Sequence, residues 1–161
     1  MATPRASSCL VVSLAVSATM GALFAEPLAH AQSPVHPAVR PASSDLRDWM
    51  LALVDRSRHS HGLSRLQLNL RLSREALNHS RQMARAGAIS HTPNLANLIR
   101  GVGGTVFGED VGKGRGILGI RDAWLRQPDT RPILLDSRFH RVGLGVIHTG
   151  GFYWVTLQAF D

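Results

Sequence analysis

The sequence predicts an α+β domain, with helices first and an antiparallel hairpin last. Three observations point there. Apolar residues recur at helical spacing from Leu46 to Val54 and again from Ala76 to Ala84. Val142, Leu144 and Val146 alternate with Gly143 and Gly145, and a second β-rich run from Phe152 to Phe160 follows the turn His148-Thr149-Gly150-Gly151. No internal repeat breaks this order, so the elements belong to one layered α+β domain.

The first segment, Met1 to Ala31, reads as an export signal. Arg5 supplies a short positive region, Cys9 to Phe24 is apolar or small, and Ala29-His30-Ala31 fits a small-x-small cleavage site. The apolar run is shorter than the roughly 20 residues a membrane-spanning helix needs. Residues 32–44 form a spacer, with Pro34, Pro37 and Pro41 among small polar residues. The folded domain is then 45–161.

Asp45 is placed to cap a first helix whose apolar face is Leu46, Trp49, Met50, Leu53 and Val54, ending near Gly62. Leu66, Leu68, Leu70 and Leu72 alternate with polar residues, as a strand or as an extended connection that buries leucines. Ser73 reads as the next cap, with Leu72 and Leu77 as a hydrophobic staple and Gly87 as the stop. Thr92-Pro93 starts a short helix through Arg100, and Thr105 to Phe107 reads as a short strand. Ile117, Ile120, Ala123 and Trp124 mark a helix that ends before Pro128.

Composition narrows the function classes. The only cysteine is Cys9, inside the export segment, so the exported domain has no disulfide. Export without disulfides points to a bacterial surface or medium. The net charge is +7, and of the 18 lysines and arginines only Lys113 is lysine. The arginines fall singly, without the basic stripe and interleaved aromatics of a nucleic-acid interface, so no nucleic acid is expected. The charge suits an anionic envelope polymer or lipid as partner.

Chemistry concentrates between His91 and Arg131. His91 and Glu109, each beside a turn or a helix start, are positioned to face one another across a cleft. No nucleophile elbow of Gly-x-Ser-x-Gly form accompanies Ser90. Gly114-Arg115-Gly116-Ile117-Leu118-Gly119 has dinucleotide-loop spacing but lacks the flanking parallel strands, and reads as a mobile rim loop. His59, His61, His140 and His148 read as solvent-facing, and Trp49, Trp124 and Trp154 as core.

The order of segments resembles a known family. Leu53-Val54-Asp55-Arg56, His91-Thr92-Pro93-Asn94-Leu95-Ala96, Gly108-Glu109-Asp110-Val111-Gly112, Ala123-Trp124, Arg131 to Asp136, Val142-Gly143-Leu144-Gly145-Val146 and Trp154 to Phe160 are similar to a bacterial CAP (SCP-like) domain. That superfamily includes the cysteine-rich secretory, antigen 5 and pathogenesis-related 1 proteins. The form without cysteines resembles its short actinobacterial members. The resemblance implies a three-layer α-β-α sandwich closed by the C-terminal hairpin. It also implies a central cleft whose two histidines and acidic residues can hold a divalent metal.

His91 matches the first histidine and Glu109 the glutamate of the Gly-Glu-Asn motif, where Asp110 replaces asparagine. Thr130 stands where the second histidine belongs, in Gln127-Pro128-Asp129-Thr130-Arg131-Pro132-Ile133-Leu134-Leu135. A catalytic zinc has three protein ligands plus water. His91 and Glu109 supply two, and Asp129 or Asp110 would have to complete the set from the wrong side. The expectation is a degenerate metal site, no cofactor, and a cleft of His91, Glu109, Asp110, Thr130 and Arg131, with Arg131 meeting an anionic group. The expected function is a secreted envelope binding module. The alternatives are a polymer hydrolase with Glu109 as base and His91 as acid, or carriage of a lipid or sterol.

Overall fold

The structure is a computed structural model that describes residues 42–161; the expected export signal and the spacer up to Pro41 lie outside the described residues. In chain order the elements are α1 (Ser43–Ser60), β1 (Gln67–Leu68), α2 (Leu70–Ala86), α3 (Leu95–Arg100), β2 (Phe107–Gly114), α4 (Ile117–Arg126), α5 (Arg131–Leu135), β3 (Arg141–Thr149) and β4 (Phe152–Phe160). The strands form one sheet in the order β1-β3-β4-β2, antiparallel except for the β1–β3 pair. Helix α2 covers one face of the sheet, and α1, α4 and α5 cover the other. The three-layer α+β sandwich expected from the sequence is present.

Strand periodicity sorts the side chains between the layers. Val142, Leu144, Val146, Val155, Leu157 and Ala159 point towards α1 and α4, where they meet Met50, Leu53, Val54, Ile120 and Trp124 in the larger core. On the opposite face Leu72, Ile99 and Phe160 form a smaller cluster. Alternate β3 positions there are glycine for a spatial reason. A Cβ on Gly145 would lie 2.3 Å from the Ala76 carbonyl carbon, and one on Gly143 2.4 Å from Leu72 Cγ. Helix α2 therefore rests directly on the strand backbone.

Several local expectations are corrected. Helix α1 begins at Ser43, and Asp45 caps it from inside the first turn by accepting the Ala42 N–H at 3.2 Å. Trp49 is 45% exposed, one position off the apolar face. Helix α2 starts at Leu70 with Asn69 as its cap (Leu72 N–H to Oδ1, 2.9 Å). Ser73 sits one turn inside it, and its hydroxyl receives the Leu144 N–H. Gly87 ends the helix in the left-handed region, as its position predicts. Helix α3 begins only at Leu95.

The largest correction is β2. The sequence shows a short strand at Thr105–Phe107, yet the strand runs Phe107–Gly114 and pairs with β4 along its whole length. It looks like a loop because Gly108, Gly112 and Gly114 interrupt it. A Cβ on Gly112 would stand 2.7 Å from Ile120 Cγ2, so close packing of α4 requires the glycine. Arg115-Gly116 is the only connection left to the expected glycine rim.

Arg58 is the one fully buried arginine among the described residues. Its guanidinium donates to the carbonyls of Ser64, Leu134, Asp136 and Phe139 at 2.8–3.1 Å, tying α1 to α5 and to the entry of β3. Burial lowers its pKa despite the opposing pull of Asp55 and Asp136.

Candidate functional site

Glu109 projects from β2 towards the α2 layer, beneath the loop that joins α2 to α3. Its side chain is only 3% exposed, whereas that of His91 is 71% exposed. The carboxylate receives four donors. Oε2 accepts from His91 Nδ1 at 2.8 Å and from the Thr92 N–H at 2.9 Å. Oε1 accepts from the Thr92 hydroxyl and, at 3.0 Å, from Gln158 Nε2, which lies directly across the β2–β4 ladder. The Gln158 amide also donates to Thr92 Oγ1 at 2.9 Å. Beside this network His79, on α2, bonds the Ser90 carbonyl through Nε2 at 2.7 Å. One buried carboxylate and one buried histidine thus fasten the loop.

The sequence picked out His91 and Glu109 and missed Thr92 and Gln158. A signal for Gln158 was there: it is a polar residue flanked by Leu157 and Ala159 in an otherwise apolar strand. A chain does not bury an amide without a partner.

Asp110 is not part of this group. Successive strand residues point to opposite faces, and Asp110 enters the larger core on the side of Gly108 and Gly112. It is fully buried, and neither carboxylate oxygen has a hydrogen-bond partner. Burial, and then the neighbouring charge of Glu109, push its pKa up to about 8. Asp110 is therefore a neutral acid at pH 7.

Thr130 and Arg131 also sit apart from the His91–Glu109 pair. Thr130 Oγ1 donates to the Trp124 carbonyl at 2.8 Å. Arg131 turns towards α1, where its guanidinium meets the Leu125 carbonyl and His61 Nε2, both at 3.2 Å. His61, expected to be idle at the surface, is held between Arg131 and the Ser57 carbonyl. Thr130 instead lines a cleft of about 460 Å³ between β2 and α4, over Gly112, Ile120 and Trp124. Two cations stand on its rim. Lys113 Nζ lies 4.5 Å from the Trp154 ring centroid, and Arg115 lies 5.5 Å from that of Phe152.

Residues 51–159 match the sequence profile of the Cysteine-rich secretory protein family, CAP. The chain belongs to the CAP family. No curated protein sequence matches it. Among solved structures, its CAP domain is similar to an extracellular protein containing an SCP domain from Bacillus anthracis, at 24% identity and a TM-score of 0.62, over 74% of this chain and 41% of that one. It is also similar to an outer surface protein from Borrelia burgdorferi (13%, TM-score 0.67, 75% and 96% of the two chains). A third likeness is to a cysteine-rich secretory protein from Staphylococcus aureus (16%, TM-score 0.61, 78% and 41%). The chain thus spans about two fifths of the Bacillus and Staphylococcus proteins, and at these identities the likeness concerns the fold.

The residues of this CAP domain do not fit a metal. Each Glu109 oxygen already receives two protein donors, so a cation would have to displace Thr92 and Gln158 from a buried position. His91, with Nδ1 on Glu109 and Nε2 free, can offer one ligand, and among the described residues no second one converges beside it. Asp110 points into the other layer, and Thr130 bonds a carbonyl. No group of three or more His, Cys, Asp or Glu side chains converges as a metal site among the described residues.

Proposed function

We propose that this CAP domain is a non-catalytic binding module of the bacterial envelope, and that its cleft between β2 and α4 takes an anionic group of an envelope polymer or lipid. The observation that carries this reading is the saturation of Glu109. A general base needs a free lone pair aimed at its substrate, whereas both Glu109 oxygens are occupied in holding a loop. The hydrolase alternative asks the same carboxylate to do both.

Support for an anionic ligand comes from Lys113 and Arg115 on the cleft rim and from the net charge of +7. Arg131, first expected to fill this role, is engaged with His61 and the Leu125 carbonyl. Lys113 Nζ, in contrast, gives one long bond, of 3.3 Å, to the Gly87 carbonyl and keeps its other donors. No helix among the described residues is long and apolar enough to cross a membrane. Secretion behind a cleaved signal is part of the same proposal.

Sedimentation with poly(glycerol phosphate) and with phosphatidylglycerol vesicles separates the polymer from the lipid source. Binding to one of them, weakened by Lys113→Ser with Arg115→Ser beyond what added salt achieves, supports the reading. Turnover of peptidoglycan that disappears in Glu109→Gln would replace it with the hydrolase.

A further inference from the structure

On the α2 side of the sheet, the segment that begins at Thr92 stands off from the helix and leaves a recess of about 340 Å³. This recess shares no lining residue with the cleft between β2 and α4. Its helical wall carries Glu75, Asn78 and Gln82, which share one face of α2 at three- and four-residue spacing. Asn97 faces them from α3, and Pro93 and Leu98 add a small apolar surface.

The donor pattern narrows the ligand. Asn78 Oδ1 accepts from Arg81, and Asn97 Oδ1 accepts from Arg100, so both amides keep their NH2 groups for a ligand. Below them His79 is buried; its Nε2 is committed to Ser90, and Nδ1 is an acceptor with no protein partner. Among the described residues Glu75 is the one formally charged group lining the recess. The guanidiniums of Arg81 and Arg100 reach only its edge, where they are bonded to the Asn78 and Asn97 oxygens, so an anion inside meets the like charge of Glu75. Four amides (Asn78, Gln82, Asn94 and Asn97) and a carboxylate are equally unsuited to a purely apolar ligand. An uncharged molecule dense in hydroxyls matches every group: the amides donate to its oxygens, Glu75 accepts from its hydroxyls, and Pro93 and Leu98 meet its C–H face.

We propose that this recess between α2 and α3 is a saccharide-binding site for roughly one or two hexose units, a size within the usual range of small-ligand pockets. The site goes beyond the cleft reading and does not depend on it. The bonds from His79 to Ser90 and from Thr92 to Glu109 hold the loop side of the recess before ligand arrives, which lowers the ordering cost of binding.

The test is NMR titration of the full chain with maltotriose, cellotriose and chitotriose up to about 20 mM, in the range of weak affinities. Inorganic phosphate serves as a charged control. Saturable shifts of the Asn78, Gln82 and Asn97 side-chain amides with one saccharide, weakened about tenfold or more in Asn78→Ala with Asn97→Ala, support the site. Asn78 and Asn97 are exposed, so the double variant keeps the fold. Three results overturn the proposal: no saturable shift with any of the saccharides, unchanged affinity in the double variant, or amide shifts produced by phosphate alone.

Discussion

Glu109 and Asp110 are neighbours in sequence, each a carboxylic acid and each buried, yet they occupy opposite environments. Glu109 looks towards α2 and receives four donors. Asp110 looks towards α4 and receives none. Burial alone therefore decides little about a carboxylate. What decides is which face of the strand it leaves by, because one face offers a polar loop and an amide and the other only hydrocarbon.

The largest expected effect concerns Asp110 and its titration. Its folded-state pKa of about 8 stands above the ordinary 3.8. Between those values the unfolded chain releases a proton that the native state keeps, so stability falls as pH rises. The penalty grows by about 1.4 kcal/mol per pH unit at most and levels off above about pH 8. Asp110→Asn should remove this slope. In urea unfolding the variant should match the wild type near pH 4 and exceed it by several kcal/mol at pH 8.5. Equal slopes for the two proteins would mean that Asp110 finds a partner.

Glu109→Gln tests the other side of the comparison. It puts an amide NH2 where the carboxylate receives four donors, so that Thr92, His91 or Gln158 must turn to accept from it, and should cost about 1–3 kcal/mol. Hydrogen exchange should quicken at Ser90 to Asn94, the loop that the carboxylate fastens. Thr92→Val removes one hydroxyl donor and should cost about 1–2 kcal/mol, with the same loop affected. His91→Ala should cost less than about 1 kcal/mol, because an exposed partner contributes little to an ion pair. If His91→Ala instead proved the most damaging of the three, the histidine and not the buried donors would be holding the carboxylate. Zinc should have the smallest effect. Calorimetry should show no tight binding by the wild type and no change on His91→Ala.

The sequence made the periodic parts of the fold legible. The helical faces around Met50 and Ala76, the stop at Gly87 and the glycine turn at Gly150-Gly151 all follow from side-chain spacing and positive φ, and all appear where expected. Strand β2 was hidden because its glycines serve the approach of α4, a tertiary demand with no local signature. That omission carried through to the site. Without a strand there was no alternation to separate Asp110 from Glu109, and the two acids fell into one cleft. Thr130 and Arg131 were grouped with His91 by matching motif order, which does not fix where side chains turn. Glu109 and His91 emerged correctly as a pair because both sit beside breaks in the chain. Thr92 and Gln158 did not, since their roles depend on a register known only once β2 and β4 are aligned.

Arg58 bears on how this molecule comes apart. A single guanidinium joins the Ser64 carbonyl, which precedes β1, to three others 76 to 81 positions from Arg58 along the chain. Loss of α5 and the segment after it would take away three of the four acceptors of a buried cation, and loss of α1 would uncover the carbonyls around Leu134. Neither end of the domain has a stable existence without the other, so unfolding should proceed as one transition and not by peeling from a terminus. A nick in the segment between α3 and β2 should then leave the two fragments bound to each other, parting only when the whole domain melts.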